Sequence, residues 1–192
     1  MIGQINLDSA AGDAIFKISS EDEVLSIVEI GTWNGAGSTK CVIEGIVNKP
    51  QASFYSLECD RTRYELALTN ITPQDNVHVI LGRIVEVSDL DIVGLGEDEA
   101  TWLAEDLKAM SEVSDVLEEL PSKIDFLILD GGEFSTAAEF NKLIERTTYV
   151  FLDDTSIRKN RGNRSWLIES DDFEQLEDFP EDRNGWCLFK RS

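Results

Sequence analysis

The chain has 192 residues, which at roughly 100–200 residues per domain is one domain with one core. Its 17 basic and 38 acidic residues give a net charge of −21, which disfavours nucleic acid and anionic membrane as partners, because both recruit basic groups. Apolar residues make up 42% and charged residues 29%, ordinary globular usage that argues against disorder.

The first 26 residues read as a lead-in to the domain. Met1–Asp13 holds two acids and no basic residue, unlike a secretory signal, and no apolar run reaches the roughly 18 residues of a membrane span. The cysteines, Cys41, Cys59 and Cys187, are odd in number and form no C-x-x-C pair. They read as small buried hydrophobes in a reducing cytoplasm, the expected compartment.

Short apolar runs then alternate with stretches of helical spacing. The runs Ile27–Ile30, Phe54–Leu57, Val77–Leu81, Ile124–Leu129 and Tyr149–Leu152 read as strands buried on both faces. The intervening helices are expected at Thr39–Val47, Thr62–Thr69, Glu99–Leu120 and Thr136–Arg146. This alternation predicts an α/β fold, a Rossmann-like, doubly wound, mostly parallel sheet. The tail predicts a short helix at Trp166–Ser170 and an antiparallel strand pair, Phe173–Phe179 and Trp186–Lys190, joined by the turn Asp182-Arg183-Asn184-Gly185. In such a sheet ligands sit beyond the carboxyl ends of the strands.

After the first strand comes Glu29-Ile30-Gly31-Thr32-Trp33-Asn34-Gly35-Ala36-Gly37-Ser38. Its glycine spacing, G-x-x-x-G-x-G, excludes the dinucleotide fingerprint, and Lys40 lies after Thr39 rather than before Ser or Thr, which excludes a P-loop. The loop resembles motif I of class I S-adenosylmethionine (SAM)-dependent methyltransferases, E/D-x-G-x-x-x-G-x-G. The resemblance implies that Glu29, Gly31, Thr32, Trp33, Gly35, Gly37 and Ser38 surround SAM. Glu58, 27 residues after Gly31 at the end of the second strand, is then the ribose ligand, with Asp60 as its substitute. Gly82 and Arg83 fall at the adenine position, where Arg83 departs from the family's small polar or acidic residue. His78, inside the third strand, reads as a packed or edge residue.

Asp130 follows the fourth strand and Asp153-Asp154 the fifth. Two readings stand side by side. Clustered carboxylates repel, and a hard divalent cation, Mg²⁺ or a similar ion, relieves them; alternatively Asp153 or Asp154 caps a helix and Asp130 is solvated. The strings Asp130-Gly131-Gly132-Glu133-Phe134-Ser135-Thr136 and Phe151-Leu152-Asp153-Asp154-Thr155 resemble the macrocin O-methyltransferase-like and catechol-type group of metal-assisted O-methyltransferases. The similarity runs from Ile27 to Thr155 and returns at Asn184–Lys190. It implies a metal on Asp130, Asp153 and Asp154, with Asp130 also facing SAM and serving with Glu133 as a catalytic residue. Glu133 replaces a frequent His and Ser135 a Tyr, and Glu145-Arg146-Thr147-Thr148 replaces a Pro-Gly-Gly turn.

The stretch 156–164 reads as a basic loop: Arg158, Lys159, Arg161 and Arg164 fall within seven positions. Either Arg158 and Lys159 meet a small, anionic substrate, or the cluster balances local charge. Glu97–Glu119 carries nine acids and one lysine. It reads as the crossover helix before the fourth strand, with a lid or a homodimer surface as alternatives. The expected activity is SAM-dependent, cation-assisted O-methylation of a small hydroxylated metabolite. The alternatives are an inactive SAM-fold binding module and a metal-using hydroxylase or glycosyl-transfer relative.

Overall fold

The computed structural model describes residues 5–192, so the start of the expected lead-in, residues 1–4, lies outside the described residues. Seven strands form one sheet: β1 (Ser26–Ile30), β2 (Ser53–Glu58), β3 (Val77–Leu81), β4 (Ile124–Leu129), β5 (Thr147–Asp153), β6 (Phe173–Phe179) and β7 (Trp186–Arg191). Their order is β3-β2-β1-β4-β5-β7-β6. The first five are parallel, and β7 runs antiparallel to both β5 and β6. β4 is buried at every position, which is why its sequence is apolar at every position but Asp125. Asp125 is accounted for at the strand entrance, where its carboxylate accepts the backbone N–H groups of Leu25 and Ser26 at 3.0 Å each.

Among the described residues six α-helices cover the sheet: α1 (Ala10–Ser20), α2 (Ser38–Ile46), α3 (Arg61–Asn70), α4 (Glu97–Ser111), α5 (Thr136–Leu143) and α6 (Arg158–Glu169). One core cluster joins α1 and α2 to Ile27, Phe54, Phe126, Phe151 and Trp186. The other lies on the opposite face and joins α5 and α6 to Val28, Leu127, Leu129 and Val150. Alternate residues of each central strand thus feed different cores. Among the described residues no helix is long and apolar enough to cross a membrane. Cys41 and Cys187 are buried, Cys59 is half-buried, and none is disulfide-bonded. His78 is exposed on edge strand β3 and stacks on Tyr55 with ring centroids 4.9 Å apart.

The lead-in holds a helix, and two other expectations are corrected. The lead-in contains α1, whose Ser9 caps it by accepting the Gly12 N–H and whose Ala11, Ala14, Ile15 and Ile18 form a buried stripe. The long acidic helix stops at Ser111; the chain then turns so that residues 114–116 pair with Arg83, and a short 3₁₀ turn follows at Leu117–Glu119. The stretch 156–164 is not a loop, since α6 begins at Arg158 and absorbs the short helix expected at Trp166–Ser170.

Candidate active site

A cavity of about 490 Å³ opens at the carboxyl ends of β1, β2, β4 and β5. Gly31 opens the loop that floors it, with φ +101°, a left-handed conformation that favours glycine. A Cβ on Gly31 would lie 2.2 Å from the Asp130 carbonyl oxygen, so the β1 and β4 exits touch backbone to backbone here. Trp33 also adopts positive φ, at 51°, and its N–H donates to Glu58 Oε2 at 2.7 Å. The Asp60 N–H donates to Glu58 Oε1 at 2.9 Å. Glu58 therefore ties the glycine loop to the end of β2, and burial raises its pKa. Asp60 also reaches the cavity, and its side chain caps α3 through the Arg63 N–H.

Gly31, Thr32, Trp33, Gly37, Ser38, Glu58, Gly82, Arg83 and Asp130 all line this cavity, while Glu29, Gly35 and Glu133 do not. Glu29 is fully buried beneath the loop and accepts hydrogen bonds from Thr39 Oγ1 at 2.7 Å and Ser56 Oγ at 2.5 Å. Burial pushes its carboxyl up to about 7, against those hydroxyl bonds. Gly35 faces α3, where a Cβ would meet the Ile71 side chain at 2.8 Å. Gly82 faces Val116 in the same way, at 2.6 Å. Arg83 bonds the Val85 carbonyl and pairs with Glu86 at 2.7 Å.

Two acids of the cavity wall carry no motif. Asp106 comes from α4, so the acidic helix forms a wall of the cavity, and Glu139 comes from α5. Glu139 is 6% exposed, and its Oε2 has no hydrogen-bond partner. Burial pushes its carboxyl up to about 7 and raises Asp106 as well. The legible sign was a glutamate on the apolar stripe of a helix: Thr136, Glu139, Phe140 and Leu143 share the buried face of α5. Among the described residues, seven carboxylates and three arginines line the cavity, which suits a cationic ligand better than an anionic one.

At the β5 end, Asp130, Asp153 and Asp154 do converge: one donor oxygen from each lies within 4.8 Å of the others. Asp154 adopts φ 57°, a left-handed conformation Asp tolerates. Neither Asp153 nor Asp154 caps α6, whose N-cap is Ile157 with no side-chain bond, so the capping alternative is excluded. The counter-charges come from the chain itself. Lys159 Nζ lies 2.5 Å from Asp130 Oδ1 and 2.9 Å from Asp154 Oδ2. Arg183, from the turn before β7, pairs with Asp153, and the Asn184 amide donates to Asp154 Oδ1 at 3.0 Å. Burial pushes Asp153 up to about 7, helped by Asp130 and Asp154 and opposed by Arg183 and Lys159. Burial would lower Lys159, but Asp130 and Asp154 outweigh it and raise it above the ordinary lysine value. Oxygen donors suit a hard cation, yet each of the three acids already has a cationic partner, so the set does not fit an added divalent ion in this arrangement.

The two residues expected to meet substrate both have partners within the chain. Lys159 is 7% exposed and committed to the acids. Arg158 turns to the start of α4, meeting Glu99 at 3.2 Å, Asp91 at 3.3 Å and the Val93 carbonyl at 3.1 Å. Glu133 is half-buried behind the wall, and burial raises its pKa while Lys159 lowers it.

No protein-family model matches the chain, and no curated protein matches it. Solved structures do. A Staphylococcus aureus protein described as a caffeoyl-CoA O-methyltransferase superposes with TM-score 0.68 at 15% identity, over 96% of this chain and 84% of its own. The cofactor-bound Rv0187 from MTB gives 0.67 at 16% identity, over 99% and 83%. The SAH-bound Podospora anserina methyltransferase PaMTH1 gives 0.62 at 14% identity, over 94% and 77%. The fold is that of the class I SAM-dependent methyltransferases, a Rossmann-like sheet closed by an antiparallel C-terminal pair.

Proposed function

We propose that the protein transfers the methyl group of SAM to a hydroxyl oxygen of a small metabolite. The observation that carries the reading is the junction of the glycine loop with Glu58: Trp33 N–H on Glu58 Oε2 at 2.7 Å, at the mouth of an acid-lined cavity of about 490 Å³. When bound, SAM supplies an electrophilic methyl group on a sulfonium. The chain's task is then alignment, because little covalent help is required. Glu58 accepts the ribose hydroxyls, and the backbone from Gly31 to Gly37 lies along the methionine portion. Asp130 faces the methionine ammonium. Asp106 and Glu139, whose carboxylates lie against the Gly132 and Gly131 turn after β4, are acceptors for the adenine amine. The acceptor molecule enters at the β5 end, where Asp153 offers an oxygen for the hydroxyl proton.

The committed basic side chains remove the support for an anionic acceptor, and a neutral hydroxylated one fits the wall better. No step is assigned to a divalent ion. Calorimetry with S-adenosylhomocysteine (SAH), followed by transfer of a labelled methyl from SAM into a pool of small hydroxylated metabolites, tests the reading. Saturable SAH binding with label entering a metabolite is expected. Binding without transfer would favour the inactive module, and a folded protein that binds neither SAM nor SAH would refute the assignment.

A further inference from the structure

We propose that the Lys159 ammonium is the resident cation of the Asp130–Asp153–Asp154 cluster, standing where a divalent ion would sit, so that the site works without metal. The three donor oxygens are close enough to share one ion, within 4.8 Å of each other, and so close that they need a counter-charge. Lys159 meets two of the three carboxylates at hydrogen-bond distance. It cannot readily swing away, because the next residue fixes its helix: the Asn160 amide donates to the Leu129 carbonyl at 3.2 Å and the Asp153 carbonyl at 2.6 Å. Asn160 is fully buried and is itself held near Asn163, whose amide donates to Asn160 Oδ1 at 2.9 Å.

The third acid is neutralised separately by Arg183, and Asn184 occupies the second oxygen of Asp154. Three negative charges thus meet two fixed positive ones. A divalent ion held roughly 2.0–2.6 Å from the same oxygens would face an ammonium already bonded to two of its three ligands. The ammonium is a permanent part of the chain, so the positive charge at the acceptor end does not depend on ion supply.

The inference deepens the proposed methyl transfer and rests on it for its purpose, but its test does not use SAM. Mn²⁺ is titrated into the full-length protein and the electron paramagnetic resonance signal of the free ion is followed. Wild type is expected to show no uptake that Asp154→Asn removes. Lys159→Met, of similar length but uncharged, is expected to take up one Mn²⁺ per chain. Saturable uptake of one ion by wild type that Asp154→Asn abolishes would overturn the proposal. So would a folded Lys159→Met protein that takes up none. If circular dichroism shows that Lys159→Met does not fold, the wild-type titration decides alone. SAH binding measured alongside keeps the failures apart: its loss in wild type refutes the methyltransferase reading and leaves the Mn²⁺ result to judge Lys159.

Discussion

Removing the Glu58 carboxylate should damage both the loop and the ligand, by amounts the structure sets. Glu58 is 6% exposed and accepts two backbone N–H groups, from Trp33 at 2.7 Å and Asp60 at 2.9 Å. Bonds to a charged acceptor are each worth about 1.5–3 kcal/mol, and a buried donor left alone costs about as much. Asp60 N–H lies near the surface and regains water, so Glu58→Ala should cost about 2–4 kcal/mol of stability. For a chain of this size that lowers Tm by roughly 5–15 °C. Losing the two ribose contacts as well should weaken SAH by about 2–3 kcal/mol, or roughly 30- to 150-fold in Kd. Glu58→Gln retains one acceptor oxygen and should fall between Ala and wild type on both scales. Thermal unfolding by circular dichroism reads the first quantity, and calorimetry with SAH, performed well below the lowered Tm, reads the second. A folded Glu58→Ala protein with wild-type SAH affinity would refute the ribose assignment. An unchanged Tm would refute the loop tether.

Two further perturbations are informative. Glu29 and Glu139 are lifted by burial from 4.5 to about 7. The folded protein therefore holds protons in that window that the unfolded chain has released, and stability falls as pH rises through it. Glu139→Gln should flatten the decline of Tm with pH and leave the variant more stable than wild type near neutrality; parallel slopes would argue against a carboxyl raised by burial. Gly31→Ala puts a Cβ 2.2 Å from the Asp130 carbonyl oxygen at φ +101°, so about 2–4 kcal/mol of stability should be lost. Urea unfolding measures it, and an unmoved midpoint would mean that the two strand exits are not in backbone contact.

The parts legible in the sequence were those whose buried face is apolar. β4 was readable to the residue because a strand covered on both sides carries a nearly continuous apolar run, and edge strand β3 was readable because four of its five residues are aliphatic. α6 was opaque for the converse reason. Its buried residues include Lys159, Asn160 and Asn163, whose partners are acids and carbonyls supplied by distant strands, so hydrophobic periodicity has nothing to register. Local composition showed a basic run, and the run became structure only through tertiary pairing. α1 was legible in principle, as a Ser cap before an i, i+3, i+4, i+7 stripe, but Gly12 and the terminal serines dilute that signal. Convergence of Asp130 with Asp153 and Asp154 followed from adjacent parallel strands. Arg183 did not, because the reach of a hairpin turn back to a neighbouring strand end is not written in the turn itself.

The carboxylate-rich wall also bears on how a catalytic cycle would end. SAM enters with a sulfonium charge, and SAH leaves without it. On the proposed methyl transfer, the ionised acids of the wall not paired within the chain would attract the first more than the second, so the reaction itself would discard part of the attraction that held the cofactor. Product inhibition would thereby be weakened, and exchange of spent for fresh cofactor would be favoured by the change of charge. Because screening shortens the reach of such a field to about 8 Å at physiological ionic strength, that preference for fresh cofactor narrows as salt is added.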